Sequence, residues 1–483
     1  MIRVLPLLHL LGLFILVFGG VMLVPLAFAF GAGWSGWPPL LASFFITIAL
    51  GAVLWRTLPR PAAELSTKEG IFLTVLVWLA VSLFGALPFA FSPHFPTFTD
   101  AVFESVSGFT TTGATILPQV EVLAPPIQFC RHLAHWIGGM GIVLLGIAIL
   151  PLIGVGGMAL YRAEFSGARS EKLKPRLAET AIALWRIYFA LTLAQYLLLR
   201  WAGLDWFEAL CHTFSTLGTG GFSTRTASVG GFQSPAVETI ILVFMVLAGI
   251  NFTFHYRLWR GGQVREFFHD PEIQGFLGIL AAAGLAVTAT LLINTGMSFG
   301  AALRSAFFQV ASIGTTTGFA TVDYEKWPPL THAILFALMF VGGCTGSTAG
   351  GWKVSRVILM ERLVGRELRR TSERRGVFAV RLGGQVVPET SLHALLNLIY
   401  LSLLVFLASV LAVAACGADL LTSITAVAAS MFSVGPGFGT VGPAENYAHI
   451  PLLAKWVLIF CMLAGRLEFY TAIVVLTPSF WKK

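Results

Sequence analysis

The chain has 483 residues, of which 56% are hydrophobic and only 11% charged, with a formal net charge of +8. A soluble domain carries roughly 25% charged residues, so this chain lacks the polar surface to face water on all sides and must be covered by lipid. Its basic residues sit in short runs between apolar segments, the distribution of topology signals, which excludes nucleic acid as the partner and leaves membrane lipid.

Arg3, a long apolar run and Ala27-Phe28-Ala29 mimic a cleaved leader. The run over 7–30 is longer than the roughly 7–15 residues of a leader core and long enough to span. A second span follows near 38–58. From there one unit recurs four times: a long apolar span, a shorter amphipathic segment, a Gly/Thr-rich turn and a second long span. The span pairs lie near 70–91 and 126–153, 179–203 and 235–258, 274–296 and 329–362, and 390–415 and 451–477. The short segments, near 98–109, 205–216, 300–313 and 419–432, cannot cross a bilayer and read as re-entrant helices. The expected fold is therefore all-α integral membrane: two leading transmembrane helices (1–60) plus four helix–pore loop–helix repeats (61–178, 179–270, 271–384 and 385–483) around one central pore.

Loop charge orients the chain. One side collects Arg56, Arg60 and Lys68, the run 162–176 with Arg162, Arg169, Lys172, Lys174 and Arg176, then Arg257, Arg260 and Arg265, the run from Lys353 to Arg381, and Lys482 and Lys483. The opposite loops carry Asp100, Glu104, Glu121, Asp205, Glu208, Asp323, Glu325, Asp419 and Glu445. The basic side is cytoplasmic by the positive-inside rule; ten spans then put both termini inside and bring every re-entrant segment in from outside. Trp34, Trp37, Trp55, Trp201, Trp259, Trp327 and Trp481 stand at segment ends, as headgroup-belt residues do or as core padding would.

The turns align when Gly113, Gly220, Gly318 and Gly437 are set in register: Thr110-Thr111-Thr112-Gly113, Leu217-Gly218-Thr219-Gly220, Thr315-Thr316-Thr317-Gly318 and Val434-Gly435-Pro436-Gly437. One such turn is unremarkable at a helix contact; four at similar intervals in one topology point to a cation pathway. An ion crossing hydrocarbon needs oxygens in place of its water, and backbone carbonyls supply them only where the backbone is irregular and otherwise satisfied. Glycine lets successive carbonyls aim inward. Threonine hydroxyls add oxygens or tie the turn to its neighbours. Each short helix points its partly negative C-terminal end at the membrane centre, which favours a cation there.

The span over 329–362 is interrupted by Gly342-Gly343, Gly346 and Gly350-Gly351, with Ser347 and Thr348 between. Unwound backbone there either lines a cavity or makes a close helix contact. Arg466 lies inside the last span beside Glu468, where an arginine is either functional or half of a salt bridge. Gly154-Val155-Gly156-Gly157-Met158-Ala159 matches a dinucleotide pattern without the strand that pattern needs. The glycine-rich 342–351 before Lys353 lacks the GK[ST] of a phosphate loop. His132 and His135 have no third metal ligand at a useful spacing, and the five cysteines form no CxxC pair and read as small buried residues. No polar catalytic cluster lies within the spans, so the chain does not read as an enzyme.

With these residues in view, the chain resembles the Trk/Ktr/HKT superfamily of potassium transporters, its TrkH branch most closely, over nearly its whole length. The resemblance rests on residues 104–114 (ESVSGFTTTGA), 215–223 (STLGTGGFS), 343–353 (GCTGSTAGGWK) and 465–468 (GRLE), with the two leading spans separating it from shorter relatives. It implies one pore per subunit, a homodimer, and selectivity for potassium and rubidium over sodium, because no serine replaces Gly113. It implies a potassium filter of Thr111, Thr112, Gly113, Gly218, Thr219, Gly220, Thr316, Thr317, Gly318, Gly435, Pro436 and Gly437, with potassium held at Thr111, Thr112, Thr219, Gly220, Thr316, Thr317, Gly435 and Pro436. Pro436 departs from the family's pattern. The resemblance further implies a gating loop at Gly343, Gly346, Ser347, Thr348, Gly350 and Gly351 and an electrostatic barrier at Arg466. Potassium is then the substrate, no cofactor is bound by this chain, and a cytosolic nucleotide-binding TrkA-like subunit regulates it at the bacterial inner membrane. A symporter coupling potassium to protons or sodium is the alternative, with Glu468 as its candidate carboxylate.

Overall fold

The computed structural model describes residues 2–61, 65–141, 177–261, 265, 269–373, 376 and 378–482. The basic run 162–176, the dinucleotide-like 154–159, Arg374, Arg375 and Lys483 lie outside the described residues, as does the second half of the span expected over 126–153.

Two leading helices, α1 (Val4–Gly31) and α2 (Pro38–Thr57), form a hairpin whose closest approach is made by Gly12, Gly19 and Gly51. Added side chains at Gly12 and Gly51 would press on the backbone of the facing helix. Small residues are the usual means by which membrane helices come together.

The next elements run in fours. Long helices are α3 (Thr67–Gly85, continued by the turn Leu87–Ala90), α6 (Leu177–Trp201), α10 (Pro271–Thr295) and α14 (Glu389–Ala415). Each leads to a short helix: α4 (Phe98–Phe109), α7 (Trp206–Leu217), α11 (Phe299–Gly314) and α15 (Leu420–Met431). These fall within a residue or two of the expected re-entrant segments. Thr97, Asp205 and Asp419 cap three of them, accepting from first-turn N–H groups, a contribution of about 1 kcal/mol each. Second helices follow: α5 (Pro125–Gly139), α8 (Pro235–Ala248), α12 (Pro329–Val341) and α16 (Leu452–Arg466). A proline stands at or just before the first residue of each, where its missing N–H costs nothing and its φ favours the helix.

The second helices depart from expectation. The sequence signals a break only in the third, yet α8 stops at Ala248 and α9 (Phe252–Gly261) leaves it at 95°. α16 stops at Arg466, with Glu468 and Phe469 in left-handed conformations before α17 (Tyr470–Val474). α12 breaks as expected, and the chain crosses 342–353 as loop before α13 (Val354–Ser372). Six helices among the described residues are long and apolar enough to cross a membrane, or seven if the bent α8–α9 pair counts as one, against ten expected spans. For α8, α12 and α16 the shortfall has a physical reason: a second helix of 13 to 15 residues is about 20 Å long, too short to cross alone; the span expected over 126–153 continues outside the described residues. An unforeseen antiparallel hairpin, β1 (Arg381–Leu382) and β2 (Gln385–Val386), folds under α13 and α14, with Val380 and Leu382 buried against Leu359, Leu363 and Leu392.

Trp327 is buried, the core-padding alternative, whereas Trp201, Trp259 and Trp481 are exposed, as headgroup positions are. Cys211, Cys344 and Cys461 are buried, while Cys130 and Cys416 are half-buried.

Two buried ion pairs lock the first short helix to second helices. Asp100, in the first turn of α4, holds Lys455 of α16 at 2.6 Å, and Glu104 holds Arg131 of α5 at 2.7 Å, all four side chains being under a tenth exposed. Lys455 also donates to the Ala448 carbonyl at 2.9 Å. Removing one member of such a pair strands a buried charge, at a cost of about 3–5 kcal/mol, whereas replacing both by neutral groups is far milder. Lys455→Met is therefore expected to lower the thermal midpoint of the detergent-solubilised protein sharply, and Asp100→Asn with Lys455→Met to recover most of it. Equal loss in the single and double variants would remove the pair from this role.

Candidate ion pathway

Each short helix ends in the same way. The two residues after Thr110, Gly218, Thr315 and Phe432 close a pair of hydrogen bonds back onto the last helical turn. In the outer bond the N–H of Thr112, Gly220, Thr317 and Val434 donates to Ser107, Ser215, Ser312 and Ala429 at 2.8 to 2.9 Å. This is the six-to-one closure of a helix C-terminus, and it needs a left-handed residue. That residue is Thr111 (φ 56°), Thr219 (51°), Thr316 (54°) and Ser433 (57°), and two positions later stands a left-handed glycine: Gly113 (81°), Gly221 (78°), Gly318 (82°) and Gly435 (94°).

The structural register is therefore Gly113, Gly221, Gly318 and Gly435. It corrects the sequence alignment by one residue in the second turn and by two in the fourth. The sequence shows three glycines in the second turn, Gly218, Gly220 and Gly221, and two in the fourth, Gly435 and Gly437, and carries no signal of which one bears positive φ.

The four turns close on one another. A side chain on Gly113 would collide with the Gly220 carbonyl, on Gly221 with that of Thr317, on Gly318 with that of Val434, and on Gly435 with that of Thr112. The contacts run from first to second to third to fourth and back to first. Four glycines and four carbonyl oxygens thus form a complete ring, with the C-terminal ends of α4, α7, α11 and α15 directed at it. Partial negative charge from four helix ends and four carbonyls is thereby brought together in one place.

Of the expected filter residues, Thr111, Thr112, Gly113, Thr219, Gly220, Thr316, Thr317, Gly318 and Gly435 belong to these turns, and Gly218 is the cap of α7. Pro436 packs beside Gly318. Gly437 lies off the ring, against Thr425, with its carbonyl accepting from the Tyr324 hydroxyl at 3.1 Å. The Gly435 carbonyl accepts from the Tyr447 hydroxyl at 2.8 Å, and the ring oxygen of the fourth turn is that of Val434. Val434, Ser433 and Gly221 were missed in the sequence because none sits at a TTG position.

Threonine hydroxyls act as ties. Thr110 and Thr112 share a hydrogen bond at 2.8 Å, and Thr315 and Thr317 repeat it at 2.7 Å. The left-handed Thr111 accepts from Arg466 at 3.3 Å, and Thr316 accepts from the Gly350 N–H at 2.6 Å. A non-glycine left-handed residue costs about 1–2 kcal/mol; these two bonds give that strain a structural return.

A packed layer stands behind the first two turns. His132 and His135 each direct Nδ1 at the Ser215 hydroxyl, at 2.7 and 3.1 Å. His135 stacks on Phe222 at 4.1 Å, and the Arg131 guanidinium lies over the same ring at 4.0 Å. Glu104, paired with Arg131, also accepts from Thr115 and from the Ile116 N–H, anchoring the chain that leaves the first turn. Among the described residues no group of three His, Cys, Asp or Glu could hold a metal ion.

The loop over 342–353 crosses beside the ring. Gly350 lies against the Phe432 carbonyl, Gly343 against that of Gly249, and Gly346 against Asn251. Glu272, buried in the first turn of α10, accepts from the N–H of Thr345 at 2.6 Å and of Ser355 at 3.2 Å, clamping both ends of the loop. Ser347 closes a local turn on the Cys344 carbonyl. Arg466 donates to the carbonyls of Thr348 at 3.1 Å, Gly139 at 3.0 Å and Gly138. Glu468, two residues on, holds Arg356 of α13 at 2.6 Å.

A model of the TrkH family, described as cation transport protein, matches residues 38–483. The Trk system potassium uptake protein TrkH of Salmonella typhimurium is 42% identical over 98% of this chain and 99% of that protein. The Trk system potassium uptake protein TrkG of Escherichia coli is 34% identical over 98% of each. The crystal structure of the potassium transporter TrkH from Vibrio parahaemolyticus superposes with a TM-score of 0.90 and 37% identity, covering 100% of both chains.

The ring makes a specific prediction about register. Gly221→Ala puts a methyl group into the Thr317 carbonyl, where backbone would have to move. At Gly437 the crowding comes from the Thr425 and Val441 side chains and the Thr425 backbone, at about the closest limit of real contacts. Ion flux through reconstituted protein is expected to fall at least about tenfold in Gly221→Ala, the effect of roughly 1.4 kcal/mol, and much less in Gly437→Ala. The reverse order would restore the sequence register.

Proposed function

The chain belongs to the TrkH family of cation transport proteins, and from that premise we propose that it is a potassium- and rubidium-selective permease of the bacterial inner membrane serving potassium uptake. The observation that carries this reading is the closed ring of four glycines and four carbonyls at the converging ends of four short helices. A dehydrating cation exchanges its water for backbone oxygens there, at the cost of no side-chain charge. Rows of carbonyls from Thr111, Thr112 and Gly113 and from their counterparts in the other turns form the filter. The repeats that supply them divide near 61–178, 179–270, 271–384 and 385–483.

Below the ring, the 342–351 loop and Arg466 act together as the closure. The guanidinium puts a fixed positive charge beside Thr111 and Thr348, and cations are repelled from it more strongly in a low-dielectric pore than in water. The loop fills the path and must leave for conduction. Passive flow is favoured over symport because Glu468, the carboxylate best placed in sequence to carry a coupled proton, holds Arg356. Coupling would need that carboxylate released.

Both termini are taken as cytoplasmic. The relatives' names speak of a Trk system, and we infer a homodimer regulated by a cytosolic nucleotide-binding TrkA-like subunit. The exposed Arg362, Arg369 and Arg370 on α13 offer that subunit a basic surface.

Liposomes holding the purified protein are expected to take up radiolabelled rubidium, with potassium competing far better than sodium and no proton gradient needed. Gly113→Ser should bring sodium toward parity with potassium. Equal competition by both ions in the unaltered protein, or a strict need for a proton gradient, would overturn selectivity or passive flow respectively. Arg466→Ala removes charge-assisted hydrogen bonds of about 1.5–3 kcal/mol each, so basal uptake should rise roughly ten- to a hundredfold if the equivalent of one of them biases closure. A folded variant with unchanged uptake would leave Arg466 a purely structural tie.

A further inference from the structure

The break between α8 and α9 is unexplained by anything above. It exposes the carbonyls of Ala248 and Gly249, which a continuous helix would have used internally. Both are taken by the loop of the third repeat. The Cys344 N–H donates to Gly249 at 2.8 Å, and the Thr348 hydroxyl donates to Ala248 at 3.2 Å. In the other direction the first N–H of α9, on Phe252, donates to the Gly346 carbonyl at 3.1 Å. The Asn251 side chain packs on Gly346, two residues from Cys344, whose N–H is held two residues from Asn251. Unsatisfied backbone at membrane depth is costly, so the two broken helices satisfy each other.

We infer that the Ala248–Asn251 break is the latch of the closure: the loop is held shut by backbone hydrogen bonds to the second repeat, and these must part for the pathway to open. This rests on reading 342–351 as the closing loop. The geometry separates two kinds of tether. Glu272 clamps Thr345 and Ser355 from the loop's own repeat, on α10, and serves as a pivot that persists in either state. The bonds to Ala248, Gly249 and Phe252 cross to another repeat and are lost when the loop withdraws. α9, turned 95° from α8 and carrying the exposed Trp259 and Arg260 at its far end, joins the latch to the basic side of the molecule.

The test uses the native Cys344. Asn251→Cys places a second thiol beside it, and oxidation of the full-length protein in liposomes joins them, a disulfide identified by peptide mass. Rubidium uptake should fall at least about fivefold on oxidation and return with reductant, while Asn251→Cys with Cys344→Ser should not respond. Independently, Thr348→Val, which deletes the hydroxyl bond to Ala248 and keeps the side-chain volume, should raise basal uptake about two- to tenfold, the effect of one hydrogen bond. A crosslinked protein with undiminished uptake, failure of the crosslink to form under oxidant, or unchanged uptake in Thr348→Val would each overturn the latch. A chain with the 343–351 loop shortened separates the two claims. If it leaks while the crosslink has no effect, only the latch falls. If neither changes uptake, the closing loop falls with it.

Discussion

Irregular backbone in a membrane survives only when something other than lipid satisfies it, and the ring of four glycines against four carbonyls is where this chain meets that constraint. Each turn is incomplete alone: its glycine has no side chain because the next turn's carbonyl occupies the space. No single repeat can build the site, and none can be displaced without opening the ring. The short helices, their caps and the prolines that begin the second helices all serve to deliver four helix ends to one axis.

Around the ring, charges that would be prohibitive in lipid are paired in ways that fix the repeats to one another. Asp100 with Lys455 joins the first repeat to the fourth, and Arg466 joins the fourth back to the first through Gly138, Gly139 and Thr111. The same arginine holds the Thr348 carbonyl of the third repeat. Arg466 is thus a seam between three of the repeats, and the barrier proposed for it would act from the same position. The loop makes a similar double use of Thr316, whose hydroxyl accepts from the Gly350 N–H while its left-handed backbone closes the end of α11.

Much of this was legible in the sequence because it rests on periodicity and punctuation. The four short helices fall where amphipathic segments too short to span were read, and the third-repeat break was announced by its glycine cluster. The register was not legible, because φ is set by the six-to-one closure of each helix and not by glycine itself; at Ser433 and Thr219 the chain goes left-handed without it. The breaks after Ala248 and Arg466 were hidden for the same reason. Gly249 alone does not foretell a 95° bend, and left-handed Glu468 and Phe469 contradict local preference. Adjacency in the sequence makes Arg466 and Glu468 candidate partners. The break turns Glu468 to Arg356 and Arg466 to the first and third repeats, a separation that only tertiary structure reveals.

The measurement that bears most directly on the ring is anomalous diffraction from crystals of this protein grown in rubidium in place of potassium. Anomalous density is expected on the axis between the carbonyls of Thr112, Gly220, Thr317 and Val434, and is expected to be absent from crystals grown in sodium. Density that avoids these four oxygens, or sodium crystals with equal occupancy there, would contradict the claim that they form the cation site.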